Sequence, residues 1–135
     1  MGGHSVRHAT DSYITSRPNL TYALRLAAYA LRLPHETFDM TQRGSRNRLA
    51  VKRAALWWLL RTTTDASLPG IGAATGAAHP TVLAGVRRHE LRMVEDPVEA
   101  QRSGVTAEWI DVAWATKQAR ANERRPLLAA DKDGR

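Results

Sequence analysis

Apolar residues recur at helical spacing along most of this chain. Leu20, Ala23, Leu24, Ala27, Ala28 and Leu31 fall at i, i+3, i+4, i+7, i+8 and i+11, a single stripe on a helix of about three to four turns. Asn19 stands at the N-cap position, and Pro34 closes the segment. Residues 34–45, with Pro34, Thr37, Thr41, Gly44 and Ser45, read as a loop. A second helix is predicted from about Ser45 to Arg61. Leu49, Leu56, Leu59 and Leu60 form its buried side, and Ala54, Ala55 and Trp58 fill in beside them. The run Thr62-Thr63-Thr64-Asp65 has poor helix preference and ends it.

Two shorter helices separated by a turn follow. Ser67 is a good N-cap for Leu68-Pro69, where proline sits in the first turn and its missing N–H costs nothing. Ile71 and Ala74 face inward, and Gly76-Ala77-Ala78 is the turn. His79 precedes Pro80 at the next helix start. Val82, Leu83, Val86 and Val94 give that helix its apolar side, and Arg87, Arg88 and Arg92 its polar one. Pro97 stops it by Asp96. Helix, Gly-bearing turn and helix together make a helix-turn-helix. In the DNA-binding form of that motif the second helix enters the major groove and its first residues reach base edges. Here those are His79, Pro80 and Thr81. A last helix is predicted from Thr106 to about Asn122, with Trp109, Ile110, Ala113 and Trp114 as its apolar strip. The expected fold class is therefore all-α: a compact helical domain with a helix-turn-helix, plus one extra C-terminal helix. Its expected organisation is a loose arm over 1–17, the helix-turn-helix domain over 18–96, a linker and C-terminal helix over 97–125, and a disordered tail over 126–135.

Charge sharpens this picture. The chain of 135 residues carries 20 Lys and Arg against 13 Asp and Glu, a net +7, which favours a polyanionic partner. Between Asp39 and Asp65 there is no acidic residue, while Arg43, Arg46, Arg48, Lys52, Arg53 and Arg61 crowd the interval. That run points to phosphate contact. There is no cysteine, so disulfides, thiol catalysis and thiolate metal sites are excluded, and a reducing cytoplasm fits. Apolar stretches fall short of the ~20 residues of a membrane helix. Gly70-x-Gly72-x-x-x-Gly76 lacks both the preceding strand and the Lys-Ser/Thr ending of a nucleotide-binding loop, and no Walker motif occurs. His35, His79 and His89 stand in no catalytic spacing, so neither an enzyme nor a bound cofactor or metal is expected. His89 reads as a surface residue.

Arg53-Ala54-Ala55-Leu56-Trp57-Trp58-Leu59-Leu60-Arg61, then Ser67-Leu68-Pro69-Gly70-Ile71-Gly72, then Gly76, then His79-Pro80-Thr81-Val82-Leu83 resembles the C-terminal DNA-binding domain of the chromosomal replication initiator DnaA. The resemblance covers about residues 20–92 and is strongest over 53–90. It implies a helix-turn-helix that binds duplex DNA at a nine-base DnaA box, with a nucleoid-associated location. By the same resemblance His79 and Thr81 read bases. Arg48, Lys52 and Arg53 lie near the backbone, Ser67, Leu68 and Pro69 approach phosphates at a helix N-terminus, and Arg87 and Arg88 sit at the family's basic positions, with Arg88 holding a phosphate. The chain departs from the family at Ala77-Ala78, where an Arg-Asp pair is usual, at Pro80, where a hydroxyl residue is usual, and at Thr75, where Phe is usual. Each lost base contact removes roughly 1–3 kcal/mol of discrimination. Backbone binding is expected to survive these changes, with weaker discrimination between sites. The ATPase domain of the initiator has no counterpart here, so the expected role is regulation of replication initiation or of transcription.

A rival expectation is a helical protein–protein interaction module that uses the helix bearing Trp109 and Trp114, including self-association. Packing of that strip against the core is favoured over this, because an exposed stripe with two tryptophans is a liability.

Overall fold

Leu56, Leu59 and Leu60 lie at the centre of the molecule, each at most 2% exposed, and the other helices are arranged around them. The computed structural model describes residues 16–33 and 46–133, with side chains over 16–33 and 48–124. The arm expected before residue 16 and the loop expected over 34–45 lie outside the described residues. Those residues form an all-α fold of five helices: α1 (Leu20–Leu31), α2 (Arg46–Thr63), α3 (Leu68–Thr75), α4 (His79–Glu95) and α5 (Pro97–Asp133). None of these helices is long and apolar enough to cross a membrane.

The helix ends follow from local chemistry. Asn19 Oδ1 accepts the Tyr22 N–H at 2.8 Å and caps α1. At its other end Arg32 adopts the left-handed conformation, with φ 57°. The Arg32 N–H then reaches Tyr29 O and the Leu33 N–H reaches Ala28 O, while the Leu33 side chain is buried. The chain thus leaves α1 before Pro34. α2 runs to Thr63. There Thr63 and Thr64 donate their hydroxyls to Leu59 O and Leu60 O, which draws the backbone out of the helix. Arg17, placed in the loose arm by the sequence pattern, is instead tied down here. Its guanidinium donates to Thr62 O and Thr64 O, and Nε lies 3.5 Å from Asp65.

The core joins α1 (Ala23, Ala27, Ala28), α2 (Leu56, Trp57, Leu59, Leu60), α3 (Ile71), α4 (Val82, Val86) and α5 (Ala107, Ile110). Trp57 rather than Trp58 is the buried member of the tryptophan pair. Two expectations about α4 are corrected. Val94 is 81% exposed, outside the apolar side assigned to it. His89 is buried, with Nε2 2.8 Å from Ser103 Oγ.

The C-terminal region also differs. α5 starts at Pro97 rather than Thr106, leaving no linker between α4 and α5. The reason is Asp96: its carboxylate accepts the N–H groups of Val98 and Glu99 at 3.0 and 3.3 Å, and Pro97 takes the first helical position. Thr106 is interior to α5 and donates its hydroxyl to Arg102 O. The helix continues through Asp133, over residues where a disordered tail is expected. Leu127, Leu128, Ala129 and Ala130 in this stretch are strong helix formers, whereas Pro126 at its start is a poor one. Of the strip on this helix, Ile110 and Trp114 are buried, whereas Trp109 is 40% exposed.

Candidate nucleic-acid interface

One side chain of α2, Trp57, packs against both α3 and α4. Trp57 Nε1 donates to Thr75 Oγ1 at 3.0 Å, and Thr75 passes its own proton to Ile71 O at 2.8 Å. Thr75 thus serves as the indole's acceptor. Gly76 turns the chain with φ 75°, a conformation that favours glycine. Gly72 lets the turn close, because a Cβ there would lie 2.3 Å from Ala77 O.

This packing leaves the start of α4 open to solvent. His79, Pro80 and Thr81 are all exposed. Ala78, at the N-cap, offers no side-chain cap. Thr81, Arg53 and Arg88 line one groove of about 210 Å³ between α2 and α4, whose floor is Ala50, Ala54, Trp57, Ala84 and Gly85. Among the described residues, those lining it include no carboxylate. Arg53 and Arg88 come from separate helices and line the groove together with Thr81. An anion placed there meets two guanidinium groups and a hydroxyl, the donor set that suits phosphate.

The remaining residues expected at DNA fall elsewhere. Arg48 and Lys52 stand one turn apart on another face of α2. They line a second pocket of about 430 Å³ with Arg32, Arg92, Arg102 and Glu99. Successive helical positions differ by about 100°, so Lys52 and its neighbour Arg53 face different surroundings. Arg87 is exposed on α4 but does not line the groove. At the start of α3, Ser67 Oγ accepts the Gly70 N–H at 3.1 Å, and Pro69 has no N–H. The first turn of α3 therefore keeps few donors for an outside anion. Leu68 is half-buried and Pro69 exposed.

Sequence reasoning missed the close packing of Trp57 on Gly85, both of which line the groove. It also missed Glu99, whose carboxylate lies 3.6 Å from Arg92 Nε and 4.0 Å from Arg102 and accepts from Ser103 Oγ at 3.2 Å. Among the described residues no group of three or more His, Cys, Asp or Glu could hold a metal ion. No protein-family model matches the chain, and no curated protein matches it.

Proposed function

We propose that this protein binds double-stranded DNA, with α3, the Gly76 turn and α4 acting as a helix-turn-helix. The start of α4 enters the major groove, where His79, Pro80 and Thr81 meet base edges. Arg53 and Arg88 hold backbone phosphates on either side of the groove that Thr81 shares with them. The observation that carries this reading is that Thr81, Arg53 and Arg88 line one groove between α2 and α4, in a chain of net charge +7. The likeness of residues 53–90 to the origin-binding domain of DnaA supports it and suggests DnaA-box-like sites. The role is binding rather than catalysis, as a regulator of replication initiation or of transcription at the nucleoid.

Selection from a random duplex pool at physiological salt tests the reading. An enriched motif is the expected result, and its resemblance to a DnaA box reports on the family assignment. Failure of the protein to retain any duplex, even at low salt, overturns the proposal.

A further inference from the structure

α5 is apolar on two opposite faces. One face packs into the core through Ser103, Ala107, Ile110 and Trp114, all buried. The other carries Val98 at 63%, Val105 at 61%, Val112 at 55% and Trp109 at 40% exposure. At about 100° per residue the three valines point nearly straight away from the core-facing face, and Trp109 lies to one side of them, its ring 6.4 Å from that of Tyr29 on α1. The three valines are spaced by seven, the repeat that keeps β-branched side chains on one seam between helices. An apolar face of this kind on an exposed helix needs a partner.

The exposed face is complementary to itself. Taking Val105 as centre, Val98 and Val112 lie seven residues to either side. Gln101 and Glu108 occupy one flank of the stripe, and Arg102 and Trp109 the other. When two copies of α5 meet antiparallel about a two-fold axis at Val105, like flank faces like flank. Val98 then meets Val112 of the other copy, and the two Val105 residues meet each other. Gln101 comes opposite Glu108, an amide donor against a carboxylate. Arg102 comes opposite Trp109, a guanidinium against an indole face. Such matching under a two-fold is what an isologous dimer interface requires. A parallel pairing brings the Trp109 flank against the Glu108 flank instead, setting a carboxylate beside the negative ring face.

We propose that this face of α5 is the interface of an antiparallel homodimer centred on Val105. It uses none of the residues assigned to DNA and does not depend on that reading.

Because the chain has no cysteine, single thiols test the register in the full-length protein. Val105→Cys is expected to form a disulfide-linked dimer under mild oxidation at least about tenfold faster than Glu90→Cys, an exposed control on α4, because a two-fold axis holds the thiols at high effective concentration. Val98→Cys mixed with a tagged Val112→Cys is expected to form the mixed dimer faster than either forms its own. Sedimentation of the unmodified protein is expected to give twice 14.9 kDa, and Val105→Glu is expected to return it to 14.9 kDa with its helical circular dichroism retained. A monomer throughout, a dimer indifferent to Val105→Glu, or a Val105→Cys rate equal to the control overturns the proposal. Val98→Cys that pairs preferentially with itself overturns the antiparallel register.

Discussion

The ring of Trp57 fills the space that a side chain at Gly85 would need. A Cβ at Gly85 would lie 2.3 Å from Trp57 Cε3 and 2.7 Å from Cζ3. The same indole is anchored by its N–H to Thr75 on α3. One side chain of α2 thereby sets the approach of α3 and α4 together. Trp57 and Gly85 also line the groove that Arg53 and Arg88 share.

Gly85→Ala is expected to destabilise the fold. The indole cannot retreat without giving up its bond to Thr75, so the added methyl must push α4 outward. Overpacking of this kind costs about 1–3 kcal/mol, read as a lower urea midpoint at unchanged slope. Thr75→Val keeps the shape but leaves the buried indole N–H without an acceptor, at a cost of about 1–3 kcal/mol. A Gly85→Ala protein as stable as the parent contradicts the role given to Trp57.

Much of this was legible in the chain. Asn19 and Ser67 announce their helices through short polar side chains at the N-cap, and Gly76 marks the one turn with a positive-φ glycine among the described residues. Periodicity could not choose between Trp57 and Trp58, because both abut the leucine stripe and differ by a single position. The clue was Gly85, a glycine inside a helical pattern, which often signals close approach of another group. Asp96-Pro97 was read only as the end of α4. Followed by Glu99, the same pair is also a helix start, and the two readings apply at once. The basic run from Arg48 to Arg53 looks like one surface in the sequence. Helical rotation divides it, sending Arg53 to the groove and Arg48 and Lys52 to a pocket shared with Glu99.

That division predicts unequal effects on DNA affinity. Arg53→Ala and Arg88→Ala should each weaken binding to every duplex alike. Each should also lower the slope of log K against log salt by about 0.9 for the phosphate released. His79→Ala and Thr81→Ala should leave that slope in place and flatten the preference between sequences. Fluorescence anisotropy over a salt series on one selected and one scrambled duplex separates the two classes. Equal salt slopes for the parent, Arg53→Ala and Arg88→Ala would show that the groove holds no phosphate.

The start of α5 offers a test of local design. Asp96 accepts two N–H groups of the first turn, and its negative charge also complements the helix dipole. Asp96→Ala is expected to cost about 0.5–2 kcal/mol. Asp96→Asn retains the acceptor and is expected to recover most of the loss. Chemical denaturation of the two variants measures the difference, and an Asp96→Ala protein with parental stability removes the cap as the reason for the early start of α5.

His89 should make stability depend on pH. Ser103 donates its hydroxyl proton to Glu99 and so receives the Nε2–H of His89. The ring is then neutral, with Nδ1 buried and without a hydrogen-bond partner among the described residues. A second proton on Nδ1 would put charge where no acceptor waits. Burial accordingly holds the His89 pKa below the ordinary 6.5, against the pull of Glu99 and Glu90 and with the help of Arg92. Below about 6.5 the unfolded chain therefore takes up a proton at this site that the folded chain refuses, so stability is greatest above that pH and declines as pH falls toward the folded value. Urea midpoints at about pH 7.5, 6.5 and 5.5 should drop in sequence for the parent protein. In His89→Gln, which can still donate to Ser103 but does not titrate, the decline should be shallower. Identical pH profiles for the two proteins would mean that the buried imidazole is not the group responsible.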